Sequence, residues 1–230
     1  MKNSPNPGII QLVPRWLKPV FFTAIVLFAL ALAWLLLSSI AIRAQPYKRA
    51  ETVEATSNAR QIGLDLFEFE TEYGSFPNKI TASLVTVRNP AHSLNLSGSS
   101  SNALFRQLYA SYKLLSERRY YANISGSRLP DGDTTPEHIL ESGEVGFSYI
   151  SGLSLSDDST TPIVLTPVIP GTTKFDPKPF DGKAVVLHID NSVRTYDIEK
   201  DGHIYRDGIN LLSSKHPIWK GKAPDIRYPE

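Results

Sequence analysis

The stretch "NARQIGLDLFEFETEYGSFP", residues 58–77, sets the fold of this chain. Ala59, Ile62, Leu66, Phe69 and Tyr73 step by three, four, three and four, which is one face of an α-helix. Arg60, Asp65, Glu68 and Glu72 are read as lying off that face. Gly74 supplies a C-terminal stop and Pro77 blocks continuation. The apolar stripe needs something to pack on, and its upstream neighbour is unusual. Residues 20–42 read "VFFTAIVLFALALAWLLLSSIAI", roughly 23 residues without a charge, where about 20 suffice to span a bilayer as a helix.

This apolar run is read as a transmembrane helix, with a short cytoplasmic tail at 1–19. The competing reading is a cleaved secretory signal, with "SSIAIRA" imitating a cleavage site. Pro19 suits a first helical turn. Lys2, Arg15 and Lys18 precede the run, and Arg43, Lys48 and Arg49 follow it. This near balance gives an N-inside orientation only modest support. Pro46 is either a kink or the first turn of a new helix. If the halves are continuous, residues 20–73 form a rod roughly 80 Å long. The expected organisation is a tail at 1–19, a transmembrane helix at 20–42, an extended amphipathic helix at 43–77, and a globular head with an extended C-terminal tail at 78–230.

The rest of the chain supplies the packing partner. A second helix is predicted at 102–117, capped by Ser101, with Phe105, Leu108, Tyr112 and Leu115 on one face. Strands are predicted at 144–150, 162–169, 183–190 and 192–198. Asp190 and Asn191 join the last two as a hairpin, and Asp201-Gly202 marks a further tight turn. Residues 89–101 and 127–138 read as loops. The tail after residue 212 is extended and pinned by Trp219. The fold class is therefore α+β, with the long helix packed on an antiparallel sheet.

Composition narrows the function classes. The chain has 230 residues, a formal net charge of +1 and no cysteine. No field of the kind a nucleic-acid binder carries is present, and thiolate catalysis and Cys-ligated zinc are excluded. Hydrophobic residues at 41% and aromatics at 10% are enough for a core.

No catalytic constellation emerges. His188 and Asp190 are conceivable metal ligands on one strand face, but a hydrogen-bonded strand histidine is the favoured reading. His92, His138, His203 and His216 have no ligand-spaced partners. "SGLSLSDD", residues 151–158, lacks the G-x-S-x-G elbow and reads as a solvated loop. Glu68, Glu70 and Glu72 fan around the helix. "DIEKDGHIYRD", residues 197–207, carries three aspartates without the EF-hand order, so calcium binding there stays open. No catalytic, cofactor-binding or metal residue is assigned, and no cofactor is expected.

An apolar helix followed by an amphipathic one ending in Phe76-Pro77, with "NKITASLVTV" after it, resembles the N-terminal module of type IV pilin-like proteins, closest to the pseudopilins of type II secretion systems. "GEVGFSYISGLS", "TKFDPKPFDGKAVVLHIDNSVRTYDI" and "HPIWKGKAPDIRYPE" extend the resemblance over most of the chain. It departs at the processing site. In "KPVFFTAIVLF" no Gly precedes Phe22 and no Glu follows it, which implies a specialised relative that stays uncut.

The resemblance implies a non-enzymatic subunit of a type II secretion or pilus-like apparatus serving protein transport. It would sit in the bacterial inner membrane as a single-pass protein with a periplasmic head. Its expected partners are other pilin-like subunits or secretion-system proteins, and the membrane through one helix, with no nucleic acid and no small-molecule substrate. The alternative is an uncleaved single-pass envelope protein that reuses the fold to bind a ligand or protein. A membrane-anchored hydrolase lacks its constellation.

Overall fold

The computed structural model describes residues 18–112 and 116–230. The predicted tail, as far as residue 17, and Leu115 lie outside them. The chain forms two compact units, Met1–Tyr47 and Lys48–Glu230. Helix α1, Lys18–Tyr73, contributes to both.

The membrane-spanning segment predicted at 20–42 is overturned. Among the described residues, no helix is long and apolar enough to cross a membrane. The side chains at 21 and 36–46 lie outside the described set. The transmembrane part of the fold class, the single-pass topology and the inner-membrane, periplasmic localisation all rested on this segment and fall with it.

The second unit is α+β, as its pattern of elements requires. Strands β1 (Ser148–Ser151), β2 (Pro162–Thr166), β3 (Lys183–His188), β4 (Val193–Asp197) and β7 (Asp225–Arg227) form a five-stranded sheet in the order β4-β3-β2-β1-β7. Every pairing is antiparallel. Strands β5 (Tyr205–Arg206) and β6 (Ile209–Asn210) make a separate small ribbon.

Both faces of the sheet are covered. Opposed pairs such as Val164 and Leu187 belong to the core beneath α1, and Leu165 and Val186 belong to a second core. Successive strand residues point to opposite faces, so each strand supplies both cores. On the first face lie Ala55, Ala59, Ile62, Leu66, Phe69 and Tyr73 of α1, all buried as the three-four stepping predicts. Phe105 and Leu108 of α3 (Ser101–Tyr112) join them. The second face is covered by Ile204, Leu211 and Trp219 from the C-terminal segment. The Trp219 indole N–H donates to the Leu211 carbonyl at 2.6 Å, so the predicted pinning of the tail is observed.

Asp65 departs from its expected position off the apolar face. It is 6% exposed and pairs with Arg119 at 2.6 Å. A partner 54 residues along the chain satisfies a charge that helical spacing alone would send to solvent.

The helix ends as predicted. The Gly74 N–H donates to the Glu70 carbonyl, and Gly74 adopts φ 81°. Phe76 is buried, and the Tyr149 hydroxyl donates to the Pro77 carbonyl at 3.0 Å. The following segment, which the strand and helix predictions above leave unassigned, forms helix α2, Lys79–Arg88. Asn78 caps it by accepting from the Ile80 and Thr81 N–H groups, and the Thr81 hydroxyl accepts from the Asn78 N–H. Gln107 of α3 donates to the Asn78 carbonyl and accepts from the Thr81 hydroxyl, tying α3 to that cap. In α3 the capping residue is Ser100 rather than Ser101, since its hydroxyl accepts from the Ala103 N–H at 3.2 Å.

The β3–β4 hairpin forms as predicted and its tip meets α1. A Cβ at Gly63 would stand 2.1 Å from Asn191 Oδ1 and 3.1 Å from Leu187 Cδ1. The glycine is therefore fixed by close approach rather than by helix preference, which favours alanine by about 1 kcal/mol. Gly63→Ala is expected to destabilise the chain by about 1–3 kcal/mol in urea denaturation. Asn191 has φ 61°, which glycine adopts freely, so Gly63→Ala with Asn191→Gly should recover at least half of the loss. A stabilised single variant would contradict the contact.

Candidate functional site

The histidines take separate structural roles. His188 is 1% exposed, its Nδ1 lies 3.2 Å from the Ser192 carbonyl, and its Nε2 lies 3.2 Å from the Tyr196 hydroxyl. Asp190 is exposed and accepts from the Ser192 N–H. The two predicted neighbours therefore do not converge on one ligand. His138 pairs with Glu141 at 2.6 Å on the surface, and His203 pairs with Asp201 at 3.2 Å. His216 accepts from the Ile218 N–H and caps a single 3₁₀ turn, Pro217–Trp219. The side chain of His92 lies outside the described set.

The aspartates of 197–207 are also engaged one by one. Asp197 pairs with Lys183 at 2.6 Å, Asp201 accepts from the Tyr205 hydroxyl and the His203 N–H, and Asp207 lies 3.7 Å from Arg206. They do not gather around one point. In the serine loop, the Ser154 and Ser156 hydroxyls bond one another, and Asp157 accepts from the Ser154 N–H. That is a turn, as predicted. Glu68 and Glu72 are exposed, while Glu70 accepts from the Leu155 N–H at 3.0 Å. The three glutamates diverge, as helical spacing requires.

A different cluster forms in the loops between α3 and β1. Carboxylate oxygens of Asp131, Glu141 and Glu144 all lie within 4.8 Å of one another. Arg128 serves all three, reaching Glu144 at 3.0 Å and Asp131 at 3.9 Å and donating to Glu141. Glu144 is fully buried, and the N–H groups of Asp131 and Glu141 donate to its two oxygens. Glu117, 2% exposed, stands against the same loop and accepts from the Leu140 N–H at 2.9 Å. Burial pushes its carboxyl above the ordinary range, and the charges on Glu144 and Asp131 push it the same way. Sequence reading placed Arg128 and Asp131 in a polar loop, Glu144 at the start of a strand and Glu117 at the end of a helix. Their only signal was the density of acids between 131 and 144, since no ligand spacing links them and Glu117 is remote.

One groove of about 630 Å³ opens beside α2, lined by Lys79, Ser83, Asn95, Ser97, Ser151 and Arg227 among others. Its two cations and small polar groups offer recognition but no nucleophile with a base. On α2 itself, Ile80, Leu84 and Val87 are exposed, with Val87 at 78%. Their spacing puts them on one helical face.

No protein-family model, no curated protein and no solved structure matches this chain.

Burial drives the His188 imidazole from its ordinary 6.5 down to about 4, so it stays neutral in the fold at neutral pH. The unfolded chain takes up that proton first as the pH falls. Stability present above pH 6.5 is therefore lost on the way to about 4, by up to about 3 kcal/mol. Urea denaturation at pH 7.5 and 4.5 checks this. His188→Gln, which keeps hydrogen-bonding capacity without the titration, should lose clearly less than the wild type across that window. An equal loss in both would place the acid sensitivity elsewhere.

Proposed function

We propose that the chain is a non-enzymatic subunit of the type IV pilin-like class that works by protein–protein contact, its helix-on-sheet head presenting α2 to another such subunit. The observation that carries this reading is the packing of the α1 stripe on an antiparallel sheet, closed by the Phe76–Pro77 junction and its Tyr149 hydrogen bond. A membrane root forms no part of it. The non-enzymatic part is supported by the engagement of the candidate histidines and carboxylates, each in a turn, cap or ion pair. The contact part is supported by the exposed face of α2. Three apolar side chains at i, i+4 and i+7 are the anchors a helix lays into a partner's groove. An exposed apolar stripe with no role in the chain's own core calls for an occupant.

Sedimentation velocity of the full chain over a concentration series tests this. Self-association is expected, and Val87→Asp should weaken it by about tenfold or more, since a desolvated charge at an apolar contact costs over 1.4 kcal/mol. Val87 lies outside both cores, so the variant should keep the wild-type urea midpoint. A chain that stays monomeric at high concentration, or a Val87→Asp variant that associates like the wild type, overturns the reading.

A further inference from the structure

We propose that the groove beside α2 takes an extended acidic segment of a protein partner, laid as an added strand along residues 94–99. The first support is charge. Lys79 of α2 and Arg227 of β7 line the groove, and no carboxylate does. Lys79 is exposed and makes no ion pair or hydrogen bond among the described residues. Arg227 holds Asp225 at 2.6 Å through Nη2, which leaves its other N–H groups to meet a second carboxylate.

The second support is independent of charge. Residues 94–97 alternate as a strand does: Leu94 and Leu96 are buried, and Asn95 and Ser97 are exposed. Yet this stretch belongs to no sheet. Among the described residues, no backbone–backbone hydrogen bond involves any of residues 95–99. The bonding there is local, with the Ser97 N–H and hydroxyl donating to Asn95 Oδ1 at 3.0 and 2.6 Å. An extended backbone left unpaired along a groove is a template for one more strand.

This rail is fixed before any partner arrives. Leu94 and Leu96 belong to the core beneath α1. Gly98 runs against α3, where an added Cβ would stand 2.5 Å from Ala103 Cβ. A segment anchored in this way loses little freedom when a strand pairs with it. The pairing also sets the ligand's pattern. Side chains of an added strand share faces with those of the rail, so apolar residues fall beside Leu94 and Leu96 and polar ones beside Asn95 and Ser97. The cations select acids for the polar positions. The groove uses Lys79, Ser83 and Thr86 of α2, whereas the apolar contact face uses Ile80, Leu84 and Val87, so the two surfaces are separable by mutation.

Fluorescence anisotropy of the full chain with a labelled alternating hexapeptide, Glu-Val-Glu-Val-Glu-Val, tests the site. Saturable binding is expected, with a Kd of about 0.1 mM and a loss of affinity as salt rises. The Lys-Val counterpart should bind about tenfold more weakly or worse. Of the two Glu-Val peptides N-methylated on alternate amides, the one that loses the pairing edge should fall by a similar factor. Lys79→Glu should weaken binding by about fivefold or more, and an acid at the start of α2 suits the helix, so the variant keeps its fold. Val87→Asp should bind the peptide like the wild type, whatever it does to self-association. Any of five results overturns the proposal: no saturable binding of the Glu-Val peptide, equal affinity for the Lys-Val peptide, both N-methylated peptides binding like their parent, unchanged affinity in Lys79→Glu, or loss of binding in Val87→Asp, which would place the peptide on the apolar face instead.

Discussion

The packing of the α1 stripe on one face of the sheet is the constraint on which the second unit depends. Ile62, Leu66 and Phe69 lie opposite Val164, Val185 and Leu187 in one continuous core. Each fully buried aliphatic or aromatic side chain contributes about 1.5–3 kcal/mol relative to exposure. The four large side chains of the stripe, Ile62, Leu66, Phe69 and Tyr73, amount to a large fraction of a domain's net stability, which is only about 5–15 kcal/mol. The stripe also fixes distance. At Gly63 the helix approaches the hairpin tip so closely that no side chain fits between them. Moving α1 outward to admit one would open gaps around Leu66 and Phe69, and packed interiors tolerate such gaps poorly.

The polar contacts around α1 are arranged to keep that packing in register. Asn58 donates to the Arg118 and Tyr121 carbonyls, and Asp65 pairs with Arg119, so one short segment after α3 is stitched to two turns of α1. Arg118 adds an exposed pair with Glu54, which solvent screening makes a minor contributor. The buried pair differs in kind. Burial pushes the Asp65 carboxyl up and Arg119 pulls it down, with burial the larger effect. Such a pair supplies little net stability but strongly disfavours any register that separates its members.

The sequence disclosed elements whose signal is local. The α1 stripe, its Gly74 stop, the β3–β4 hairpin and the Asp201-Gly202 turn all appear where composition and spacing place them. What stayed hidden depended on distant partners. β7 lies between Pro224 and Pro229 and pairs only because β1 offers an open edge. Helix α2 is rich in β-branched residues, which argue against a helix, and only the Asn78–Thr81 capping pair marks its start. The inward turn of Asp65 requires Arg119, and the Asp131, Glu141 and Glu144 carboxylates are gathered by Arg128. The apolar run at 20–42 misled because hydropathy alone implied a bilayer, whereas no described helix meets the length and apolarity a span requires.

The two-sided burial of the sheet explains why the chemistry-bearing groups lie where they do. With one face taken by α1 and α3 and the other by the C-terminal segment, no strand interior is left to build an open cleft on. His188, in the interior strand β3, is sealed and held neutral. Polar groups free to meet something from outside are therefore displaced to the loops and to α2. The carboxylate loop shows the result. Glu144 is as buried as a core residue, yet it sits beside the partly exposed Arg128 rather than within either core. Asp131, Glu141 and Glu144 converge on the one Arg128 guanidinium, so the loop is closed by paired charge, which disfavours any arrangement that separates its members.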